Sequence, residues 1–173
     1  MTGTTRRLAL DAMLSAMFVC LSFVSIQLPN MKITLDSFPI LVSACLFGPL
    51  DGFAVGLTGS FLNQLLTYGL TPTTILWILP AGLRGLLVGF YAKRHGFTLS
   101  GQQTVFIVVL SALAVTALNT GVMAADSLIY GYYSKAYVFG ALLFRIISGV
   151  VTAVVFSLLL PPLLKRIRRS TSV

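Results

Sequence analysis

Six apolar runs follow one another along this chain, at about residues 7–28, 36–50, 51–70, 73–92, 103–130 and 136–164, with only short polar breaks between them. A bilayer core of about 30 Å takes roughly 20 helical residues to cross, since each advances a helix by about 1.5 Å. The runs show no sustained period-2 alternation, so they predict helices rather than the strands of a membrane barrel. Composition agrees: 57% of the 173 residues are hydrophobic and 9% charged, against about a quarter charged in a soluble domain. So few charges on a water-facing surface would leave large apolar patches exposed. Soluble enzymes, secreted disulfide scaffolds and disordered chains are excluded. The expectation is an all-α, polytopic six-helix membrane bundle, one domain over residues 1–173.

The net charge of +8, from 12 Lys plus Arg against 4 Asp, would suit nucleic acid if the cations were interleaved with aromatic and polar groups. They are not. Arg6 and Arg7, Lys93 and Arg94, and Lys165, Arg166, Arg168 and Arg169 each border an apolar run, the pattern of the positive-inside rule. Both termini and all three clusters are therefore expected on the cytoplasmic side of a cell membrane. Lys32 and Lys135 then remain in outer loops, about 29–35 and 130–136, with a third outer loop at 67–73. The first run is expected to stay as a helix rather than be cleaved as a signal peptide, because no small-x-small site follows it before Pro29. The second run is short and interrupted by Pro39, and its neighbours must shield it. Tyrosines 130, 132 and 133 are open to two readings, as headgroup anchors or as flaps over an outward-facing pocket.

Arg84 and Arg145 stand apart from the interfacial clusters, roughly eleven and nine residues into their runs and so near mid-bilayer. An arginine there costs about 2.5–3.5 kcal/mol even on the lenient insertion scale. Each must face an internal carboxylate, with Asp36 and Asp126 in range, or a ligand in a wet cavity. Trp77 lies seven residues before Arg84 on one helical face, with Pro80 between them freeing the Leu76 carbonyl. Asn119 and Asp126 are likewise seven apart, with Met123 on the same face. Asn63 and Gln64 sit one turn below the outer loop that holds Tyr68, and Lys32 lies in the first outer loop. Trp77, Arg84, Asn119, Arg145, Asp126, Asn63, Gln64, Tyr68, Met123 and Lys32 form the ten-residue candidate ligand-binding set.

Other chemistry is sparse. His95 is the single histidine and no Glu is present, so a HExxH zinc motif is excluded, and no Walker A sequence or convincing serine nucleophile occurs. Cys20 and Cys45 lie inside apolar runs and read as small packing residues. No metal site, cofactor or enzymatic activity is expected; the sequence reads as a binder. On the first helix Ala12 and Ala16, four apart with Ser15 beside them, would let another helix approach closely, inside the bundle or on a partner. Asp11 is placed to meet basic groups on such a partner.

Several of these pieces, in order, resemble the S components of energy-coupling-factor (ECF) vitamin transporters over nearly the whole chain. They are Ala12-Met13-Leu14-Ser15-Ala16, Ile33-Thr34-Leu35-Asp36-Ser37-Phe38-Pro39-Ile40, Leu46-Phe47-Gly48-Pro49, and a third helix with Gly52, Gly56 and Gly59. Leu83-Arg84-Gly85-Leu86 looks most like the folate-specific branch. The resemblance implies a bacterial plasma-membrane subunit that binds one vitamin from outside, between its fourth to sixth helices. It also implies partnership with a membrane T component, contacted through Ala12 and Ala16, and with two ABC-type ATPases. For folate, Trp77 suits ring stacking, Asn119 the pterin edge, and Arg84 or Arg145 a carboxylate. Pantothenate, riboflavin and thiamin belong to related branches. A small secondary transporter is the competing reading, with Asp126 as its only fair proton-coupling acid; a purely structural subunit is a third.

Overall fold

The computed structural model describes the backbone of residues 3–28 and 31–171, with side chains over 5–24 and 34–167. In chain order it contains α1 (Gly3–Phe23), β1 (Ser25–Leu28), β2 (Met31–Thr34), α2 (Phe38–Leu46), α3 (Pro49–Tyr68), α4 (Thr74–Arg94), α5 (Gly101–Ile129), α6 (Lys135–Phe139) and α7 (Leu142–Thr171). Among the described residues, α4, α5 and the stretch Lys135–Ile167 are long and apolar enough to cross a membrane. α1 and α3, at 21 and 20 residues, have the length. Charged or amide side chains (Arg6, Arg7 and Asp11; Asp51, Asn63 and Gln64) lower their apolarity.

Three expected boundaries are corrected. The first helix stops at Phe23 rather than near 28, and the chain continues as an antiparallel hairpin pairing Ser25 with Thr34 and Leu28 with Met31. The fold is thus helical with one small sheet. The sixth run is split by a break at Gly140–Ala141 into the one-turn α6 and the long α7. The second run forms only nine helical residues, with Pro39 in the first turn. Proline fits there because a first-turn N–H has no intrahelical partner to lose.

That short helix organises the rest. Pro39 to Cys45 are all buried, and Leu41, Val42 and Cys45 join Val88 of α4, Ile107 and Val108 of α5 and Phe156 and Leu160 of α7 in the main apolar core. Nine residues rise only about 13 Å, so α2 fills the bundle's centre for less than half a bilayer's thickness. α3 and α4 lie antiparallel and touch through glycines. A Cβ on Gly85 would stand 2.1 Å from the Gly52 carbonyl oxygen, and one on Gly56 2.5 Å from that of Ala81. Only hydrogen at those positions permits the approach.

Arg7 at the start of α1 pairs with Asp51 at the start of α3 (Nε to Oδ1 2.9 Å) and also donates to the Phe47 carbonyl. Gly89 near the end of α4 packs against Pro49 at the start of α3. α1, α3 and α4 thus gather Arg7, Asp51, Lys93 and Arg94 at one end of the bundle, and Lys165 and Arg166 follow the core residue Leu164 in the last part of α7. Asp11 of α1 is half-buried. Its carboxylate turns inward and accepts from the Ser43 hydroxyl of α2 at 3.0 Å.

Candidate binding site

Beyond the Ser37 end of α2 the centre of the bundle is open, forming a chamber of about 720 Å³. Ligand pockets span about 300–1,000 Å³. Asp36 and Ser37 line it at the start of α2, Asn63 and Gln64 on α3, and Trp77, Pro80 and Arg84 on α4. α5 contributes Thr116, Asn119 and Met123, α7 contributes Arg145, Ser148 and Thr152, and Tyr68 stands at the rim. Eight of the ten candidates therefore meet on one surface. Lys32 lies in β2, where the side chain is outside the described residues. Asp126 is not on the chamber wall.

Phe18, Ser60, Thr116, Ser148 and Thr152, outside the candidate set, also line the chamber. Helical stride marks three of them: Thr116 is three residues before Asn119, and Ser148 and Thr152 are three and seven after Arg145. Thr116 and Thr152 donate their hydroxyl hydrogens to the carbonyls four residues back, Ala112 at 2.9 Å and Ser148 at 2.8 Å. Those donors are spent within the helices. The Asn63 side-chain Oδ1 accepts from the Ser22 hydroxyl at 2.6 Å, joining α3 to α1.

The two arginines dominate the electrostatics. Arg84 is buried, donates from Nε to Ser111 Oγ at 3.3 Å, and lies with its guanidinium carbon 5.9 Å from the Phe156 ring centroid. Arg145 donates weakly from Nη1 to Thr120 Oγ1 (3.5 Å) and Met123 Sδ (3.3 Å), and from Nη2 to the Val138 carbonyl of α6. Its Nε is buried with no hydrogen-bond partner. Among the described residues the only ion pair is Arg7–Asp51, so no internal carboxylate neutralises either chamber arginine by direct contact. Among the described residues the chamber wall carries these two cations and one carboxylate, Asp36. Asp36 precedes the α2 cap, where the positive end of a helix favours a carboxylate. The remaining positive charge suits an anion or an acceptor-rich guest.

Asp126 works at the mouth. Its carboxylate accepts from Trp77 Nε1 at 3.2 Å and from the Tyr132 hydroxyl, so one side chain of α5 holds the tryptophan of α4 and the 130–134 segment together. Tyr132 packs edge-on against Tyr137, with ring centroids 5.3 Å apart. The bond to Asp126 pushes the Tyr132 hydroxyl's pKa up from its ordinary value, so it remains a donor across physiological pH. On the outside of the bundle, Ala12 and Ala16 are exposed, whereas Ser15 turns inward and donates to the Asp11 carbonyl.

Apolar helices enclosing a charged, partly aromatic chamber define a membrane protein with an internal small-molecule cavity. A family model described as ECF-type riboflavin transporter, S component, matches residues 2–169. The chain belongs to the S components of ECF-type transporters. A UPF0397 protein of Streptococcus pneumoniae (serotype 19F) is 32% identical over 153 residues, covering 84% of this chain and 82% of its own. Another, of Streptococcus agalactiae (serotype Ia), is 29% identical over 119 residues, and the match spans 67% of this chain and 64% of that protein's length. The fold is shared with the S component of a bacterial ECF transporter, at TM-score 0.69 and 23% identity over 95% of this chain and 98% of the other. It is shared also with FolT bound with folic acid, at TM-score 0.67 and 21% identity over 94% and 96%.

Proposed function

We propose that this chain captures a small anionic vitamin with a flat ring system, folate first among candidates, in the chamber beside Arg84 and Arg145. It then delivers the vitamin inward across the plasma membrane together with a T component and two ABC-type ATPases. The observation that carries this reading is the pair of buried or half-buried guanidinium groups on one cavity with no carboxylate in ion-pair contact. A cation held away from water without an internal counter-ion is costly, and a carboxylate guest would offset that cost through charge-assisted bonds. The positive-inside rule puts the basic end of the bundle in the cytoplasm, so the opposite end, with Tyr68 and the Asp126 latch, faces outward. Similarity to FolT with folic acid supports the fold of such a receptor. Riboflavin, named by the matching family model, is the second candidate, but it carries no anionic group for the two arginines.

Trp77 is the only tryptophan and lines the chamber, so its fluorescence reports occupancy directly. Titration of the detergent-solubilised chain with folate should quench it with one-to-one stoichiometry. Quenching by riboflavin alone would keep the chamber and change its ligand; no response to folate, riboflavin, pantothenate or thiamin would overturn the assignment.

The exposed Ala12 and Ala16 suit close approach by a T-component helix. Ala12→Leu and Ala16→Leu should each weaken co-purification with the T component about tenfold, the effect of roughly 1–2 kcal/mol of overpacking, while ligand affinity stays unchanged. An intact complex with both substitutions would contradict this contact.

A further inference from the structure

A second cavity, of about 540 Å³, opens between α4 and α5 at the basic end of the bundle. Leu87 and Phe90 of α4 and Ile107 and Leu110 of α5 form its apolar walls, and Lys93 and Arg94 line it at the C-terminal end of α4. Its chemistry is graded along the bundle axis. Leu87 is seven residues from Arg94, so the apolar part reaches roughly 10 Å inward from the cations, against a leaflet depth of roughly 15 Å. Phe90 and Leu110 keep 58% and 42% of their surface exposed, so the groove faces the surroundings of the bundle rather than its core. Tyr91 lines the same groove, its ring set against His95 at 4.3 Å and Phe106 at 6.0 Å.

None of the four aspartates pairs with Lys93 or Arg94: Asp51 holds Arg7, Asp11 accepts from Ser43, Asp126 from Trp77, and Asp36 lines the chamber. Two cations above an apolar slot, at the end that the charge rule assigns to the anionic cytoplasmic leaflet, complement one kind of molecule. We propose that this groove binds one anionic phospholipid of the inner leaflet. One acyl chain lies along Leu87, Phe90, Ile107 and Leu110, and the phosphate meets Lys93 and Arg94. The site is separate from the chamber and does not depend on which vitamin the chamber takes.

The test is native mass spectrometry of the whole chain extracted from bilayers of equal phosphatidylglycerol and phosphatidylcholine. The wild-type chain should retain one phosphatidylglycerol, favoured about 30-fold over phosphatidylcholine, as two surface cations imply. The double variant K93Q/R94Q should lose at least about tenfold of that preference, whereas K165Q/R166Q, which removes the same charge elsewhere at this end, should stay within about twofold. Leu110→Trp, which fills the slot and keeps both cations, should also abolish retention. Equal losses in the two double variants would mean diffuse surface charge and overturn the site, as would unchanged retention in K93Q/R94Q. Displacement by free glycerol phosphate would show that the acyl slot is irrelevant. A dimer signal in place of a lipid adduct would give the groove to a second copy of the chain; either result overturns the proposal.

Discussion

Replacing both Arg84 and Arg145 by glutamine is expected to weaken binding of an anionic vitamin by about 100-fold or more, while the bundle stays folded. Each hydrogen bond to a charged group contributes about 1.5–3 kcal/mol, and tenfold in affinity is about 1.4 kcal/mol. The single variants should differ. Arg145 has weak partners and a buried Nε with none, so Arg145→Gln should cost affinity chiefly through the lost ligand contact. Arg84 is also engaged with Ser111 and the Phe156 face, so Arg84→Gln should lower thermal stability as well as affinity. Isothermal titration beside a melting curve in detergent separates the two effects. An amide in place of each guanidinium also removes buried charge, so the double variant without ligand should be no less stable than Arg84→Gln alone. Undiminished affinity for a carboxylate-bearing ligand would remove the arginines from the site.

Replacing Gly85 by valine should be the most damaging single change away from the chamber wall. The added Cβ would meet Gly52 backbone atoms at 2.1 and 2.2 Å, where no rotamer change relieves the overlap. α3 and α4 would have to part, and Arg84, the preceding residue, would leave its place beside Ser111. The cost is at least about 3 kcal/mol, roughly 6–12 °C in melting temperature for a chain of this size. Ligand affinity should fall with it, because both helices carry chamber walls. Gly121→Ala is the matched control: nothing lies within 4 Å of a Cβ there, and alanine is the better helix former by roughly 0.5–1 kcal/mol. Equal melting temperatures for Gly85→Val and the wild type would show that the helices are not in backbone contact.

The seven-residue steps from Trp77 to Arg84 and from Asn119 to the Asp126 end of α5 were legible because helical periodicity ties spacing to face. Thr116 and Ser148 obey the same rule, but small hydroxyl residues are common on packed membrane helices and carry no separate mark. The hairpin at 25–34 was present as alternating residues around Pro29-Asn30, a strand-and-turn pattern. Hydropathy alone is blind to it, since an apolar strand scores like an apolar helix, and so the first run reads as helical to about residue 28. The same blindness joined α6 to α7. Asp126 was a different case. Its spacing put it on the face of Asn119, but its partners are set by the path of the segment that brings Tyr132 back over the helix end. No periodicity encodes that path. The Ser43 donor to Asp11 comes from another helix, and no spacing within α1 encodes that pairing.

The proposed function requires the chamber to hold a guest drawn to its two guanidinium groups. The most direct measurement is mass spectrometry of the small molecule that co-purifies with the solubilised chain, run in parallel on wild type and on the R84Q/R145Q variant. One equivalent of a carboxylate-bearing, ring-containing vitamin on the wild type, absent from the variant, is the predicted result. A neutral molecule carried equally by both proteins would contradict it.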